Sequence, residues 1–323
     1  MNDQSLHGFV PNVRIAIVGS GAVGLFYGIK LAIGGLDVRF LLRSDLQTAR
    51  KQGIRLLSAE GDLHHAGSRF YGSSAEIGEV DLVVITLKAT ANPALRGLLP
   101  PLLGKETWLL TLQNGLGNEA FLSTAFNADR VLGGVCYVAV NRIEPAVVRH
   151  FGAGTIALGD TARPARPVVQ EIAVAFERCR IPCRLSEDLN SARWEKLVWN
   201  ICFNGLSIAA GSLPVSEIIA SPELRRKAEQ IMSETLMAAN ANGCQLSTDL
   251  IEKYIQITKT IEEFRPSSLI DFDLGREVEL EAIWGEPLRR GENKGMSLPS
   301  MRWLYETIRD KIAARDRTKA AAQ

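Results

Sequence analysis

A glycine-rich turn between an apolar segment and a helical segment most constrains the fold of this chain. Residues 13–19 read VRIAIVG, and the pattern GxGxxG is formed by Gly19, Ser20, Gly21, Ala22, Val23 and Gly24. The first glycine permits a tight bend, the second lets the backbone approach a pyrophosphate, and the third lets the helix pack closely on the strand. The N–H groups that open the helix attract phosphates. The pattern therefore predicts a dinucleotide-binding turn, with a tight turn that binds no ligand as the alternative.

The first half of the chain alternates apolar with helical segments. The further apolar segments are residues 37–43, 81–88, 107–113 and 131–140. The helical candidates between them are residues 21–34, 45–52 and 93–103. Such near-continuous apolar segments are typical of parallel strands that are covered on both faces. The alternation predicts an α/β fold with a Rossmann-like, doubly wound sheet.

From residue 187 onward the periodicity is helical almost throughout. The candidate helices are residues 189–210, 221–242, 247–263, 276–290 and 297–314. At about 150 residues per domain, a chain of 323 residues holds about two domains. We therefore predict a nucleotide-binding domain over residues 1–186 and an all-α substrate and catalytic domain over residues 187–323. Residues 313–323 are polar and Ala-rich, and we expect them to fray.

Composition restricts the partners of the protein. The formal net charge of +1 argues against nucleic acid or an anionic membrane as a main partner. Hydrophobic residues at 46% and charged residues at 23% are typical of a globular protein rather than a disordered one. Residues 197–216 carry no charge, but their Asn, Ser, Gly and Pro content favours a buried helix over a membrane span. The sequence leaves the oligomeric state open, a homodimer included.

The cysteine and histidine residues show no pattern of a metal site. The five cysteines are scattered and form no CxxC pair, which indicates reduced thiols, and the four histidines lack metal-ligand spacing. We predict no metal. The N-terminus has no basic region followed by an apolar one, so we expect a cytoplasmic protein.

A cation stands where NAD-binding sheets carry a carboxylate. An Asp or Glu at the end of the second strand usually holds the ribose 2′-hydroxyl of NAD, but this segment ends with Leu42, Arg43 and Ser44. Arg43 suits a 2′-phosphate, and hence NADP(H). Asp45 weakens this electrostatic argument, and a solvated loop charge is the alternative for Arg43.

Three polar side chains lie on one face of an otherwise apolar helix. Lys196, Asn200 and Asn204 are four residues apart and span about 80° of the helix circumference. Burying them without partners is costly. Two interpretations stay open: they form hydrogen bonds within the core, or they line a cavity that binds a polar molecule.

Several segments together resemble the ketopantoate reductase family of the 6-phosphogluconate-dehydrogenase-like group. The matching segments are GSGAVG at 19–24, LKA at 87–89, QNGLG at 113–117, WEKLVWNICFN at 194–204 and SSLIDFDLGREVELEAIWG at 267–285. They follow the family's order over nearly the whole chain after residue 12.

The resemblance implies reduction of 2-dehydropantoate to pantoate with NADP(H), in the following roles. Lys88 and Asn114 border the cofactor, and Lys196 donates the proton to the reduced carbonyl. The residues implied to contact the substrate are Asn114, Asn200, Asn204, Ser267 and Glu279, with Ser268 as the alternative if the register slips. Glu279 is expected to accept a bond from a substrate hydroxyl, away from the substrate carboxylate. From the residues alone, a solvated helix charge is the alternative for Glu279 and a helix cap is the alternative for Ser267.

One departure from the family pattern concerns substrate identity. Some members carry an Asn ten residues beyond the second helix Asn, where this chain has Pro214. A paralogous reductase that acts on a different 2-keto acid is therefore an alternative. A redox sensor that binds NADP(H) without turnover is another, although a sensor does not need Lys196 together with Glu279 and the two Asn residues.

Overall fold

The computed structural model describes residues 13–67, 69–126, 129–161, 165–260 and 264–321. The chain divides into two compact units. The first runs up to Gln113 and resumes over Asn118–Leu189, and the second combines Asn114–Gly117 with the chain from Asn190 onward. Asn114 thus groups with the helical unit. The assignment of cofactor and substrate to the two domains stays a prediction.

Strands of the first unit form one sheet. Its order among the described residues is β4-β3-β9-β8-β7-β6-β1-β2-β5, with β10 also paired to β9. The strands are β1 (Arg14–Val18), β2 (Asp37–Leu41), β3 (Ile54–Ser58), β4 (Leu63–His65), β5 (Phe70–Tyr71), β6 (Val80–Ile85), β7 (Leu103–Thr111), β8 (Val131–Glu144), β9 (Val147–Asp160) and β10 (Cys183–Ser186). The central pairs, from β2 through β1, β6 and β7 to β8, are all parallel. The predicted α/β fold is confirmed, and the antiparallel pairs β8–β9 and β3–β4 extend it.

Both faces of the sheet are covered, which explains the continuous apolar segments. In β1, Ile15 and Ile17 belong to one buried cluster, whereas Ala16 and Val18 belong to another. Because successive side chains point to opposite faces of a strand, a strand covered on both faces has no polar position in its centre.

Helices cover the sheet and build the second unit. The helices of the first unit are α1 (Ala22–Ile33), α2 (Leu46–Gln52), α3 (Ser74–Ile77), α4 (Asn92–Leu98), α5 (Asn118–Phe126) and α6 (Val168–Arg178). The chain continues with α7 (Leu189–Ala209), α8 (Val215–Ala220), α9 (Pro222–Ala241), α10 (Asp249–Lys259), α11 (Ser267–Asp273), α12 (Glu286–Glu292) and α13 (Pro299–Ala321). A π-helical turn, Glu281–Gly285, precedes α12. The apolar residues of α7, among them Trp194 and Phe203, lie in the core of the second unit.

Several predicted helix boundaries are wrong. The helix expected over residues 93–103 ends at Leu98 and is followed by a 3-10 turn, Pro100–Leu102. The helix expected from residue 276 begins only at Leu280. The segment expected to fray is helical up to Ala321, and residues 322 and 323 lie outside the described chain. The Arg315 guanidinium donates to the Phe272 carbonyl at 3.0 Å and to the Arg276 carbonyl at 3.1 Å. Such bonds satisfy carbonyls near the end of α11 and hold the C-terminal turns of α13, which lie beyond its buried residues Met301, Leu304 and Ile308.

The five cysteines are free thiols. Burial raises the pKa of the Cys202 thiol and is the main cause that raises the pKa of Cys183 to about 12. Both thiols are therefore protonated near neutral pH, which fits a structural role. No helix within the described ranges is long and apolar enough to cross a membrane.

The turn between β1 and α1 leaves no space for two of its glycines to carry side chains. Gly19 has a φ of +110°, and a Cβ there would lie 2.2 Å from the Leu87 backbone nitrogen. At Gly24 a Cβ would lie 2.3 Å from the Gly19 carbonyl oxygen and 2.5 Å from Thr86 Oγ1. The turn therefore packs directly on the end of β6.

We predict that Gly24→Ala lowers the free energy of unfolding by about 1–3 kcal/mol, because the crowded atoms include backbone that cannot yield freely. Gly97→Ala is the matched control: Gly97 is also helical, but its added Cβ would meet open space. That control should raise stability by up to about 1 kcal/mol through helix propensity. Urea unfolding of both variants makes the comparison, and equal shifts would contradict the packing argument.

Candidate active site

The glycine turn of the first unit fits a dinucleotide pyrophosphate. Helix α1 begins at Ala22 with Gly21 as its N-cap, and neither a side-chain cap nor an acidic residue occupies its first turn. A Cβ built on Gly21 meets nothing within 4 Å, in contrast to Gly19 and Gly24. Open space over the N–H groups of a helix start is what an anion requires.

Two hydroxyl groups hold this turn against neighbouring strands. Ser20 Oγ donates to the Leu41 carbonyl at the end of β2, at 2.9 Å. Thr86 Oγ1 donates to the Gly19 carbonyl at 2.6 Å. Thr86 is not among the predicted site residues, because its only signal in the sequence is a polar residue at the end of an apolar strand. The Ser20 hydroxyl binds the protein's own backbone, so a cofactor contact from this residue would fall to its N–H group.

The segment that follows β2 contains an exposed cation and a buried carboxylate. Arg43 and Ser44 are exposed, whereas Asp45 is only 2% exposed. Arg142 Nη2 donates to Asp45 Oδ1 at 2.6 Å, and the Ala146 N–H donates to Oδ2 at 2.8 Å. The negative charge that weakened the argument for Arg43 is therefore bound by donors of the protein.

Lys88 lies three residues after β6, at the same edge of the sheet as the glycine turn. It is half-buried and precedes a short 3-10 turn, Ala89–Ala91. The carboxyl ends of neighbouring parallel strands lie at one edge of a sheet, which is where nucleotides bind in such folds. The position fits the expected border of a cofactor site.

In the second unit, side chains on the polar face of α7 contact other segments. Lys196 Nζ donates to Asn114 Oδ1 at 2.6 Å. The Ser268 N–H donates to the buried Asn204 Oδ1 at 3.2 Å. Lys196 and Asn200 are half-buried. The two interpretations of this face thus apply to different residues: Asn204 bonds within the core, while Lys196 and Asn200 remain partly accessible.

The Asn114–Gly117 segment is shaped by one glycine and one backbone bond. Gly115 has a φ of +83°, and a Cβ there would lie 2.3 Å from the Ala282 carbonyl oxygen. The next residue, Leu116, donates its N–H to the same carbonyl at 2.9 Å. This close approach fixes the residue that precedes it, Asn114, whose side chain meets Lys196.

The structure distinguishes the two candidate serines. Ser267 is exposed, and no side-chain cap is found at the start of α11, whose N-cap is Pro266. Ser268 is 4% exposed and bonds Asn204 through its N–H. The geometry therefore associates Ser268 with the polar face of α7 and gives Ser267 neither the helix-cap role nor a contact with that face.

Glu279 is not a helix charge. It is half-buried and directly precedes the helical residue Leu280, in the segment that the sequence wrongly assigned to a helix. Its carbonyl accepts the Ile283 N–H at 3.1 Å. A carboxylate on irregular chain beside a helix start can be oriented independently of the helix face.

Ser207 is a further polar residue on α7 that was not among the predicted site residues. Ser207 is fully buried, and its hydroxyl has no hydrogen-bond partner among the described residues. Eleven residues after Lys196, at about 100° per residue, it returns to the same face of α7. Its only signal is this spacing, because serine is common in helices for other reasons.

These side chains can perform acid chemistry on a small polar molecule. An ammonium held by an amide oxygen can donate to an oxygen that gains negative charge. In the part of the chain that the structure covers, no three His, Cys, Asp or Glu residues could hold a metal ion.

Comparison with protein-family models matches both halves of the chain. The model described as "Ketopantoate reductase PanE/ApbA" matches residues 15–163. The model described as "Ketopantoate reductase PanE/ApbA C terminal" matches residues 188–312. Together the two matches cover most of the chain.

Individual proteins of known name are similar to this chain over nearly their whole length. A 2-dehydropantoate 2-reductase of Nostoc sp. is 34% identical, covering 92% of this chain and 94% of the relative. The crystal structure of 2-dehydropantoate 2-reductase from Geobacter metallireducens is 40% identical, with a TM-score of 0.90, over 92% of this chain and 99% of that one. A D-mandelate dehydrogenase solved with NADH and anilino(oxo)acetate has a TM-score of 0.87 over 94% and 99% of the two chains, but at 20% identity it shows the fold alone. On both family models and these relatives, the chain belongs to the ketopantoate reductase family.

Proposed function

We propose that this protein reduces 2-dehydropantoate to pantoate, with NADPH as the electron donor. The observation that carries the proposal is the contact between Lys196 Nζ and Asn114 Oδ1 at 2.6 Å. It joins the two segments that the family resemblance assigns to proton donation and to the nicotinamide border. Family membership and the Nostoc and Geobacter relatives support the substrate.

The residues of the chain divide the reaction between them. The nicotinamide, when bound, supplies the hydride. Lys196 stabilises the negative charge that develops on the carbonyl oxygen of the 2-keto acid and delivers the proton from Nζ. Asn114 orients the ammonium, and Asn200 orients the substrate without adding charge. Glu279 accepts a hydrogen bond from the substrate hydroxyl.

Two sequence-assigned roles change in this proposal. Ser268 rather than Ser267 serves the substrate side, because Ser268 is the buried one and contacts Asn204. Asn204 acts mainly by fixing this serine segment. The cofactor side consists of the glycine turn, Arg43 and Lys88.

A paralogous 2-keto acid reductase is the second candidate, and Pro214 is the observation that favours it. Pro214 is the N-cap of α8 and offers no side-chain hydrogen bond. The polar contact that some family members place at this position is therefore missing. A 2-keto acid with a less polar side chain than 2-dehydropantoate would need fewer hydrogen-bond partners at this position.

Lys196→Met should lower kcat by about 10²–10⁴-fold while the Kd for NADPH stays within a fewfold of wild type, because the variant loses the proton donor but keeps the glycine turn. Stopped-flow turnover and NADPH fluorescence titration measure the two quantities. Lys259→Met, an exposed position on α10, is the matched control and should leave both unchanged. Normal turnover of the Lys196 variant would remove this residue from the mechanism.

Arg43→Asp should erase or reverse a preference for NADPH that we expect to be tenfold or more, since a charge-assisted contact to the 2′-phosphate contributes about 1.5–3 kcal/mol. The measurement is kcat/KM with NADPH and with NADH. Arg55→Asp, exposed on β3, makes the same charge change as a control. Equal kcat/KM of the wild type with both cofactors would refute the NADPH assignment.

Glu279→Ala should abolish discrimination between 2-dehydropantoate and 2-ketoisovalerate, which lacks the hydroxymethyl group. The wild type should prefer the former by about tenfold or more, because the deoxy substrate cannot donate a hydrogen bond to the Glu279 carboxylate. Steady-state kcat/KM for both acids provides the test, with Glu277→Ala, exposed two residues earlier, as the control. If the wild type reduces both acids equally well, the paralogous reductase becomes the better assignment.

A further inference from the structure

The carboxylate of Asp45 is bound by three donors just after β2. Arg142 Nη2 donates to Oδ1 at 2.6 Å and Ser44 Oγ donates to the same oxygen at 2.9 Å. The Ala146 N–H donates to Oδ2 at 2.8 Å. The Asp45 side chain is 3% exposed, whereas that of Arg142 is 35% exposed. The guanidinium therefore supplies the countercharge for a carboxylate that is almost fully removed from water.

Asp45 lies in the segment after the second strand, where an acidic side chain affects which nucleotide is bound. A free acidic side chain after the second strand accepts the ribose 2′-hydroxyl of NAD(H), and it repels the 2′-phosphate of NADP(H). Asp45 follows Arg43 by two residues, close to that position. An unpaired carboxylate there would oppose Arg43.

The hairpin β8–β9 brings Arg142 to this point from 97 residues further along the chain. β9 pairs with β3, which follows α2, and the Arg55 N–H donates to the Ala146 carbonyl at 2.9 Å. Asp45 is itself the N-cap of α2. The hairpin end, β3 and the start of α2 thus support one another, so the position of Arg142 is set by the sheet rather than by a free loop.

We propose that Arg142 is a positioning residue that sets nucleotide selectivity: it binds the Asp45 carboxylate, which then neither accepts a ribose 2′-hydroxyl nor repels a 2′-phosphate. Arg43 acts on the phosphate without an opposing charge as a result. This inference rests on the proposed use of NADPH and adds a residue outside every motif of the sequence.

The test is the ratio of the Kd for NADH to the Kd for NADPH, measured by fluorescence titration without substrate. Arg142→Met should lower this ratio by about five- to thirtyfold, the effect of one or two lost charge interactions. Arg142→Lys keeps the cation and should retain most of the ratio. Arg149→Met removes the same charge from an exposed position of the same hairpin and should leave the ratio unchanged.

The double variant Asp45→Asn with Arg142→Met separates charge from structure. Asparagine keeps an acceptor for the Ala146 N–H but has no charge, so the wild-type ratio should return. A ratio that stays low in the double variant would mean that the hairpin is distorted, and it would overturn the proposal. If Arg142→Met does not fold, Arg142→Gln takes its place, and an unchanged ratio in the folded variant would overturn the proposal as well.

Failure of this inference and failure of the proposed function have different signatures. A wild-type protein that binds NADH and NADPH equally refutes the NADPH assignment itself. A wild-type protein that prefers NADPH, together with an Arg142 variant that keeps the preference, refutes only the role of Arg142.

Discussion

One backbone hydrogen bond, from the Leu116 N–H to the Ala282 carbonyl, decides where the ammonium of the candidate site is held. In an α-helix the Ala282 carbonyl would accept the N–H of residue 286, but in this π-helical turn the Glu286 N–H donates to Glu281. The next N–H along the turn would belong to Pro287, which has none. The Ala282 carbonyl is therefore open to Leu116 at 2.9 Å. Only a glycine at position 115 allows that approach, and the result is a fixed Asn114 facing Lys196.

Local patterns in the sequence predicted those parts of the site that lie on one element or in one motif. The glycine turn follows from the spacing of three glycines, and the polar face of α7 follows from the four-residue repeat of Lys196, Asn200 and Asn204. Both depend on residues that are close in the chain. The strand pattern likewise predicted the parallel centre of the sheet, because burial on both faces leaves an unbroken apolar segment.

The parts that the sequence did not predict depend on polar contacts between distant residues. Thr86 supports Gly19 from 67 positions away, and Arg142 reaches Asp45 from 97 positions away. The C-terminal turns of α13 were expected to fray because Arg315 fixes them through backbone carbonyls rather than through apolar positions. Hydrophobic periodicity carries no information about such bonds. Glu279 was placed in a helix for the opposite reason, because helical apolar spacing begins several residues before the observed helix start at Leu280.

An amide at position 114 suits a proton donor such as the Lys196 ammonium better than a carboxylate would. A carboxylate 2.6 Å from Nζ would form a tight ion pair, bind the proton of Lys196 more strongly and cancel the positive charge toward the substrate. The amide oxygen of Asn114 accepts a bond and fixes direction but carries no net charge. The ammonium can then exert its charge on the oxygen that becomes negative during reduction. At Asp45 the opposite solution applies, because there a full carboxylate is paired with the Arg142 cation.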